Sequence, residues 1–199
     1  MKNLYILAGC NGAGKTTVAY FILPEILQCK EFVNADEIAK GLSPFQPSTV
    51  TYPAGKIMIQ RIKSLIEKGS DFAIETTLSA ITYRDTIKLA QSQDYRVSMI
   101  FFWLNSVALA KERVHLRVSE GGHFVSDKII ERRYHKGLQN FFDIFLPLCD
   151  NVMLFDNSAA TPKLIMNKTK EKAEEILDPE TFNIIKSSYV RTRTSKIEA

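Results

Sequence analysis

The run Gly9-Cys10-Asn11-Gly12-Ala13-Gly14-Lys15-Thr16 constrains this chain more than any other feature. Two glycines separated by four residues and followed by Lys and Thr form the P-loop pattern, in which backbone N–H groups close around phosphate oxygens. The apolar stretch Leu4-Tyr5-Ile6-Leu7-Ala8 precedes it and suits a buried parallel strand, and the residues from Lys15 to about Leu27 read as a helix. A glycine-rich turn that matched by accident would not need this strand-then-helix setting. Gly9, Asn11, Gly12, Ala13, Gly14, Lys15, Thr16 and Thr17 are therefore the candidate nucleotide-cradling residues. Lys15 is placed to reach the β- and γ-phosphates, and the Thr16 hydroxyl to hold a divalent cation. A helix opening directly after the loop adds the positive end of its dipole to the same anion.

Beyond the loop, strands and helices alternate. Phe32-Val33, Asp71 to Glu75, Arg96 to Leu104 and Asn151 to Phe155 read as further strands. Between them Ser48 to Lys68, Tyr83 to Gln93, Val107 to Ser119 and Ser126 to Phe145 read as helices. That order predicts an α/β fold, a parallel sheet flanked by helices on both faces. Lys163 to Met166 adds a candidate strand, and Lys168 to Leu177 suits either a helix or a hairpin. The end of the chain is basic and lacks periodicity. The predicted organisation is one domain over residues 1–187, with 188–199 as a flexible basic tail.

Composition narrows the class. With 199 residues, 45% of them hydrophobic and 24% charged, the chain is an ordinary globular one. Its longest apolar run, Val97 to Leu104, is the size of a strand and not of a membrane span. The apolar start is too short for a signal peptide and runs into the P-loop, which points to a cytoplasmic location. Cys10, Cys29 and Cys149 are odd in number and widely spaced, and read as reduced, partly buried thiols. A net charge of +4 is modest for a nucleic-acid binder. A GTPase would carry Asn-Lys-x-Asp late in the domain, but Asn167-Lys168-Thr169-Lys170 lacks the acid. A motor ATPase would end its most apolar strand in an acidic pair, where this chain has Trp103-Leu104-Asn105.

The remaining candidates suit phosphoryl transfer. Asp36 follows the second predicted strand, at the edge where parallel sheets bind ligands, and can accept a proton from an attacking hydroxyl; it suits a helix N-cap equally well. Glu75 closes the third strand next to Thr76 and, if that strand lies beside the first, meets the P-loop. A charge closing a buried strand needs a partner. Lys111, Arg113, Arg117, Lys128, Arg132, Arg133 and Lys136 cluster on two helices joined across Gly121-Gly122-His123, a region (about 111–136) that suits a closing lid. A solvated helix face accounts for the same charges. His115, His123 and His135 lack metal-site spacing.

Taken in order, the P-loop with Thr17, Asn34-Ala35-Asp36, Glu75-Thr76-Thr77-Leu78-Ser79, Arg117-Val118-Ser119-Glu120-Gly121-Gly122-His123, Arg132-Arg133-Tyr134 and Asp156-Asn157-Ser158 resemble the zeta-toxin-like P-loop kinases, especially their short bacterial branch. The resemblance covers the chain to about Ser158. It implies a kinase-type P-loop NTPase fold with five parallel core strands and a helical, Arg-bearing lid, and ATP and Mg²⁺ as cofactors. Asp36 then resembles the general base, and Lys15 and Thr16 the ATP and Mg²⁺ ligands. Arg117 with Arg132 or Arg133 resembles the pair on the γ-phosphate, and Glu75, followed by Thr76, a substrate-side acid. Zeta toxins phosphorylate the 3′-hydroxyl of UDP-N-acetylglucosamine and are held inactive by a small helical antitoxin, so a sugar nucleotide and a small antitoxin-like protein are the implied acceptor and partner. The short C-terminal part and the Glu-Thr-Thr-Leu-Ser stretch depart from those toxins. The expected function is an ATP- and Mg²⁺-dependent kinase acting on a small-molecule hydroxyl. A 5′-hydroxyl nucleic-acid kinase and an ATP-binding interaction module without transfer activity stay open as alternatives.

Overall fold

The computed structural model of the chain describes residues 2–194, the last four by backbone alone. Its centre is β1 (Lys2–Gly9), flanked by β3 (Phe72–Thr76) and β4 (Tyr95–Trp103), with β2 (Phe32–Val33) beyond β3 and β5 (Asn151–Asp156) beyond β4. These five strands pair in parallel, so their C-terminal ends share one edge. They are the five read from the sequence. β6 (Lys163–Lys168) and β7 (Glu175–Ile176) extend the sheet antiparallel, which makes the 168–177 stretch a hairpin.

Strand geometry explains why β1 and β4 read as nearly unbroken apolar runs. Side chains alternate between faces, and both faces are covered. Leu4, Ile6 and Ala8 of β1, with Val97, Met99, Phe101 and Trp103 of β4, enter one buried cluster, while Leu7, Ile100 and Phe102 enter the other. α3 (Thr51–Lys68) and α4 (Tyr83–Ser92) cover the first face with Met58, Ile62, Leu65, Ile87 and Ala90. α1 (Lys15–Glu25) and α5 (Val107–Ser119) cover the second with Ala19, Leu23, Ala110 and Val114. α2 (Ala35–Leu42) follows β2, and a 3₁₀ turn at Pro47–Val50 leads into α3.

The helix expected from Ser126 to Phe145 is composite. α6 (Asp127–Asn140) ends in a π-helical turn, Phe141–Phe145, before the short α7 (Leu146–Leu148). α6 contributes Ile130 and Tyr134 to one cluster and Leu138 to the other, so it links the two sides of the sheet. The last helix, α8 (Pro179–Thr194), packs Phe182 and Ile185 into the first cluster. It runs without a break across position 187, so residues 188–194 of the expected tail continue α8, and 195–199 lie outside the described residues. All three cysteines are free and buried. Among the described residues no helix is long and apolar enough to cross a membrane.

Candidate active site

A cleft of about 530 Å³ opens at the C-terminal edge of the parallel strands, where open α/β sheets bind ligands. The P-loop forms its floor. Gly14, the residue before α1, has φ 78°, a conformation that favours glycine, and a Cβ there would lie 2.6 Å from Nδ2 of Asn157. Among the described residues no side chain caps α1, and its first residues, Lys15, Thr16 and Thr17, line the cleft, so the N–H groups of that turn lack a capping acceptor. Lys15 is 6% exposed; its ammonium donates to the Cys10 carbonyl at 2.9 Å and lies 3.5 Å from Glu75 Oε1.

Glu75 joins three elements. Parallel pairing of β1 with β3 sets Leu7 opposite Glu75 and Ala8 opposite Thr76, which brings the acid to the P-loop as the sequence anticipated. Its Oε2 accepts from the Thr16 hydroxyl at 2.7 Å and from Asn34 Nδ2 at 2.9 Å. The carboxylate is thus paired with the buried Lys15 and not with a surface lysine, and removing it would strand a buried cation. Asn34 supplies the N-cap of α2, accepting from the Asp36 N–H at 2.8 Å. Asp36 is therefore released from the capping role open to it in the sequence, and its side chain lines the cleft.

The two neighbouring arginines separate. Arg133 lines the cleft and donates to Asn11 Oδ1 at 3.1 Å, whereas Arg132 is exposed and does not line it. Burial pulls the Arg133 guanidinium below its ordinary pKa; Asp36 opposes that shift, and Arg132 adds to it. Arg117 also lines the cleft, with Nη2 donating to the His123 carbonyl at 2.8 Å and Nε buried without a hydrogen-bond partner among the described residues. The Gly121-Gly122 turn supports this arginine. The Gly122 N–H returns to the Arg117 carbonyl at 2.8 Å, and a Cβ on Gly122 would lie 2.6 Å from Arg117 Cγ.

Of the expected cradle residues, Asn11, Gly12, Gly14, Lys15, Thr16 and Thr17 line the cleft; Gly9 and Ala13 lie buried behind it. Thr76 lines it beside Glu75. Three further residues take roles the sequence did not show: it placed Arg113 only in the basic lid cluster and Asn157 only in the Asp156-Asn157-Ser158 motif, and gave Tyr83 none. Arg113 donates from Nη1 to the Asn157 carbonyl (2.8 Å) and from Nη2 to the Ser158 carbonyl (2.9 Å), and Asn157 Nδ2 donates to the Ala13 carbonyl at 2.8 Å. Tyr83 lines the cleft from the start of α4, with its hydroxyl on Met58 Sδ at 3.4 Å. Placement of Asn157 directly after β5 was the available signal, since strand ends at this edge meet the ligand.

The Thr16 hydroxyl and the Glu75 carboxylate form a pair of hard oxygen donors beside the phosphate cradle. Among the described residues no group of three or more His, Cys, Asp or Glu side chains could hold a metal ion. That sparse set fits Mg²⁺, which takes most of its ligands from phosphate and water and few from protein.

The zeta toxin family profile matches residues 1–161. An uncharacterised protein of Haemophilus influenzae is 29% identical over 135 residues, which cover 67% of this chain and 94% of that protein. Among solved structures, a chain of the AvrRxo1-ORF1:AvrRxo1-ORF2 complex with sulphate ions superposes at a TM-score of 0.77 and 17% identity over 93% of this chain. The match spans 63% of that longer chain. The same complex with ATP gives 0.75 at 16% identity, over the same shares. The PezAT chromosomal toxin–antitoxin system of Streptococcus pneumoniae gives 0.63 at 13% identity, covering 100% of this chain and 88% of that one. At these identities the superpositions speak for the fold, and the profile speaks for descent: this chain belongs to the zeta toxin family and has the P-loop kinase fold.

Proposed function

We propose that the protein is an ATP-dependent kinase that transfers the γ-phosphate to a hydroxyl group of a small molecule. The observation that carries this reading is the convergence of Lys15, Thr16, Glu75, Asp36, Arg117 and Arg133 on one cleft at the P-loop. The neighbouring complex solved with ATP supports the choice of nucleotide. Asp36 accepts the proton of the acceptor hydroxyl as its oxygen attacks the γ-phosphorus. The new O–P bond forms while the bond from the γ-phosphorus to the bridging oxygen breaks, and ADP leaves with that electron pair. Lys15 and the N-terminal N–H groups of α1 hold the β- and γ-phosphates, and Arg117 and Arg133 stabilise charge on the transferring group. Mg²⁺, held by the Thr16 hydroxyl with Glu75 beside it, would supply further neutralisation of the phosphates. The 111–136 region acts as the lid that carries both arginines.

Family membership makes UDP-N-acetylglucosamine the first single acceptor to try, and a small antitoxin-like protein the first partner. A nucleic-acid 5′-hydroxyl is the second reading, favoured by Lys128 and Arg132, which are exposed on α6. It requires oligonucleotide binding that weakens steeply with salt. The deciding experiment compares the wild type with Asp36→Asn, reading ADP release with MgATP and either UDP-N-acetylglucosamine or a protein-free metabolite extract. Acceptor-driven turnover is expected to fall at least ~100-fold in the variant, with ATP affinity near wild type. Unchanged turnover removes Asp36 from the mechanism.

A further inference from the structure

The cleft is unevenly charged. Its four cations, Lys15, Arg113, Arg117 and Arg133, belong to the P-loop, α5 and α6. Each is engaged there: Lys15 by the Cys10 carbonyl and Glu75, Arg113 by the 157–158 carbonyls, Arg117 by His123, and Arg133 by Asn11. On the β3–β2 side of the P-loop the lining comes from residues 34–36 and 76–83. That wall carries the Asp36 carboxylate and the hydroxyls of Thr76, Thr77, Ser79 and Tyr83, and among the described residues no lysine or arginine lines it.

The wall is also built to hold its shape. Leu78 is fully buried at φ 53°, a left-handed conformation that a leucine keeps only where its surroundings enforce it, as they often do at ligand clamps. Its N–H donates to Thr76 Oγ1 at 3.0 Å, and its carbonyl accepts from Asn140 Nδ2 at 2.6 Å. The bend leaves Thr77 and Ser79 flanking Leu78 with their hydroxyl oxygens 2.9 Å apart. Among the described residues the Tyr83 hydroxyl donates to the Met58 thioether, a weak acceptor. Each of these hydroxyls can both donate to and accept from another hydroxyl.

We propose that the acceptor is an uncharged polyhydroxy compound whose hydroxyl groups are read by Thr77, Ser79 and Tyr83. The inference rests on the kinase reading above and narrows its acceptor. An acceptor carrying phosphates would bring a second polyanion into the cleft beside Asp36, which must stay ionised to act as a base. It would have to compete with the donor triphosphate for the same four cations. An uncharged polyol meets neither cost and offers hydroxyls to a wall made of hydroxyls.

The test uses the full chain with MgATP. A protein-free bacterial metabolite extract is passed through cation and anion exchangers in series, so that only uncharged compounds emerge unretained. ADP release that is lost in Asp36→Asn is expected with the unretained fraction, which should outperform either eluate at least tenfold. Ser79→Ala and Thr77→Val should each raise the acceptor KM about five- to tenfold, the scale of one lost hydrogen bond, with less effect on kcat. Thr77→Ser, which keeps the hydroxyl, should restore it. Asp36-dependent turnover driven by either eluate, or by UDP-N-acetylglucosamine alone, overturns the proposal and leaves the kinase reading standing. So does an unchanged acceptor KM in both hydroxyl-deleting variants. ADP release that neither the unretained fraction, nor either eluate, nor UDP-N-acetylglucosamine stimulates defeats the kinase reading, and the proposal with it.

Discussion

At the level of single residues, the P-loop is held from outside as much as from within. Asn157, only 8% exposed, donates to the Ala13 carbonyl, while Arg113 grips the backbone carbonyls of Asn157 and Ser158. The nucleotide would then enter a cradle whose shape is already fixed, and the ordering cost of binding falls. Arg113→Met removes both donors and leaves two carbonyls short of partners, a loss of ~1–3 kcal/mol. For a chain of this size that corresponds to roughly 2–4 °C in Tm per kcal/mol. ATP affinity, measured by calorimetry, should drop about tenfold alongside. Arg113→Lys, a point charge that cannot span both carbonyls, should fall between. Asn157→Ala should weaken ATP binding too, and the double variant should lose less than the sum because the two act in series. A lower Tm with intact ATP affinity would reduce the pair to scaffolding.

The elements show where the sequence was legible and where it was not. The five parallel strands and the phosphate loop are local signals, written in apolar runs a few residues long and in glycines that no other residue replaces. Asp36 and Glu75 were legible because strand ends in such sheets face the ligand. The choice between Arg132 and Arg133 was not: neighbours on a helix point about 100° apart, and only the packing of α6, through Ile130, Tyr134 and Leu138, sets which one turns inward. The bend at Leu78 was hidden for a related reason. Nothing in Thr-Thr-Leu-Ser asks for a left-handed leucine; the contacts around the bend come from Gly137, against the Thr77 carbonyl, and Asn140, on the Leu78 carbonyl, both far along the chain. Gly137 sits in mid-helix, where alanine would ordinarily gain about 1 kcal/mol, yet a Cβ there would lie 2.5 Å from the Thr77 carbonyl oxygen. Gly137→Ala should therefore lower Tm despite its better helix propensity, and should depress acceptor-driven turnover more than ATP affinity. A raised Tm with unchanged turnover would show that the α6 contact does not position the 76–80 loop.

For the molecule as a whole, the two-faced core determines how it responds to alkali. Burial pushes Cys10 and Cys29 up to about 11 and Cys149 up to about 12, from an ordinary value of 9.0. Lys15 and Arg113 pull Cys10 the other way without overcoming burial. Tyr83 is raised to about 12 by burial alone. All these groups are neutral when protonated, and all have folded-state pKa values above their unfolded ones. Their contribution to stability is complete below about pH 9 and is lost as pH rises through 11 to 12, because only the unfolded chain can release the protons early. Each thiol adds a slope of about 1.4 kcal/mol per pH unit within that window. The melting temperature should therefore stay level between pH 7 and 8 and fall steeply from pH 9 to 11. An aromatic disulfide reagent at pH 8 should leave the native thiols nearly untouched and titrate all three in denaturant. Because Cys10 lies inside the P-loop, its labelling rate also reports on the nucleotide site: if the loop is preformed, ATP should change that slow rate little. Native labelling at the rate of a free thiol, strongly suppressed by ATP, would mean that the loop opens in the absence of nucleotide, and the preformed cradle would have to be abandoned.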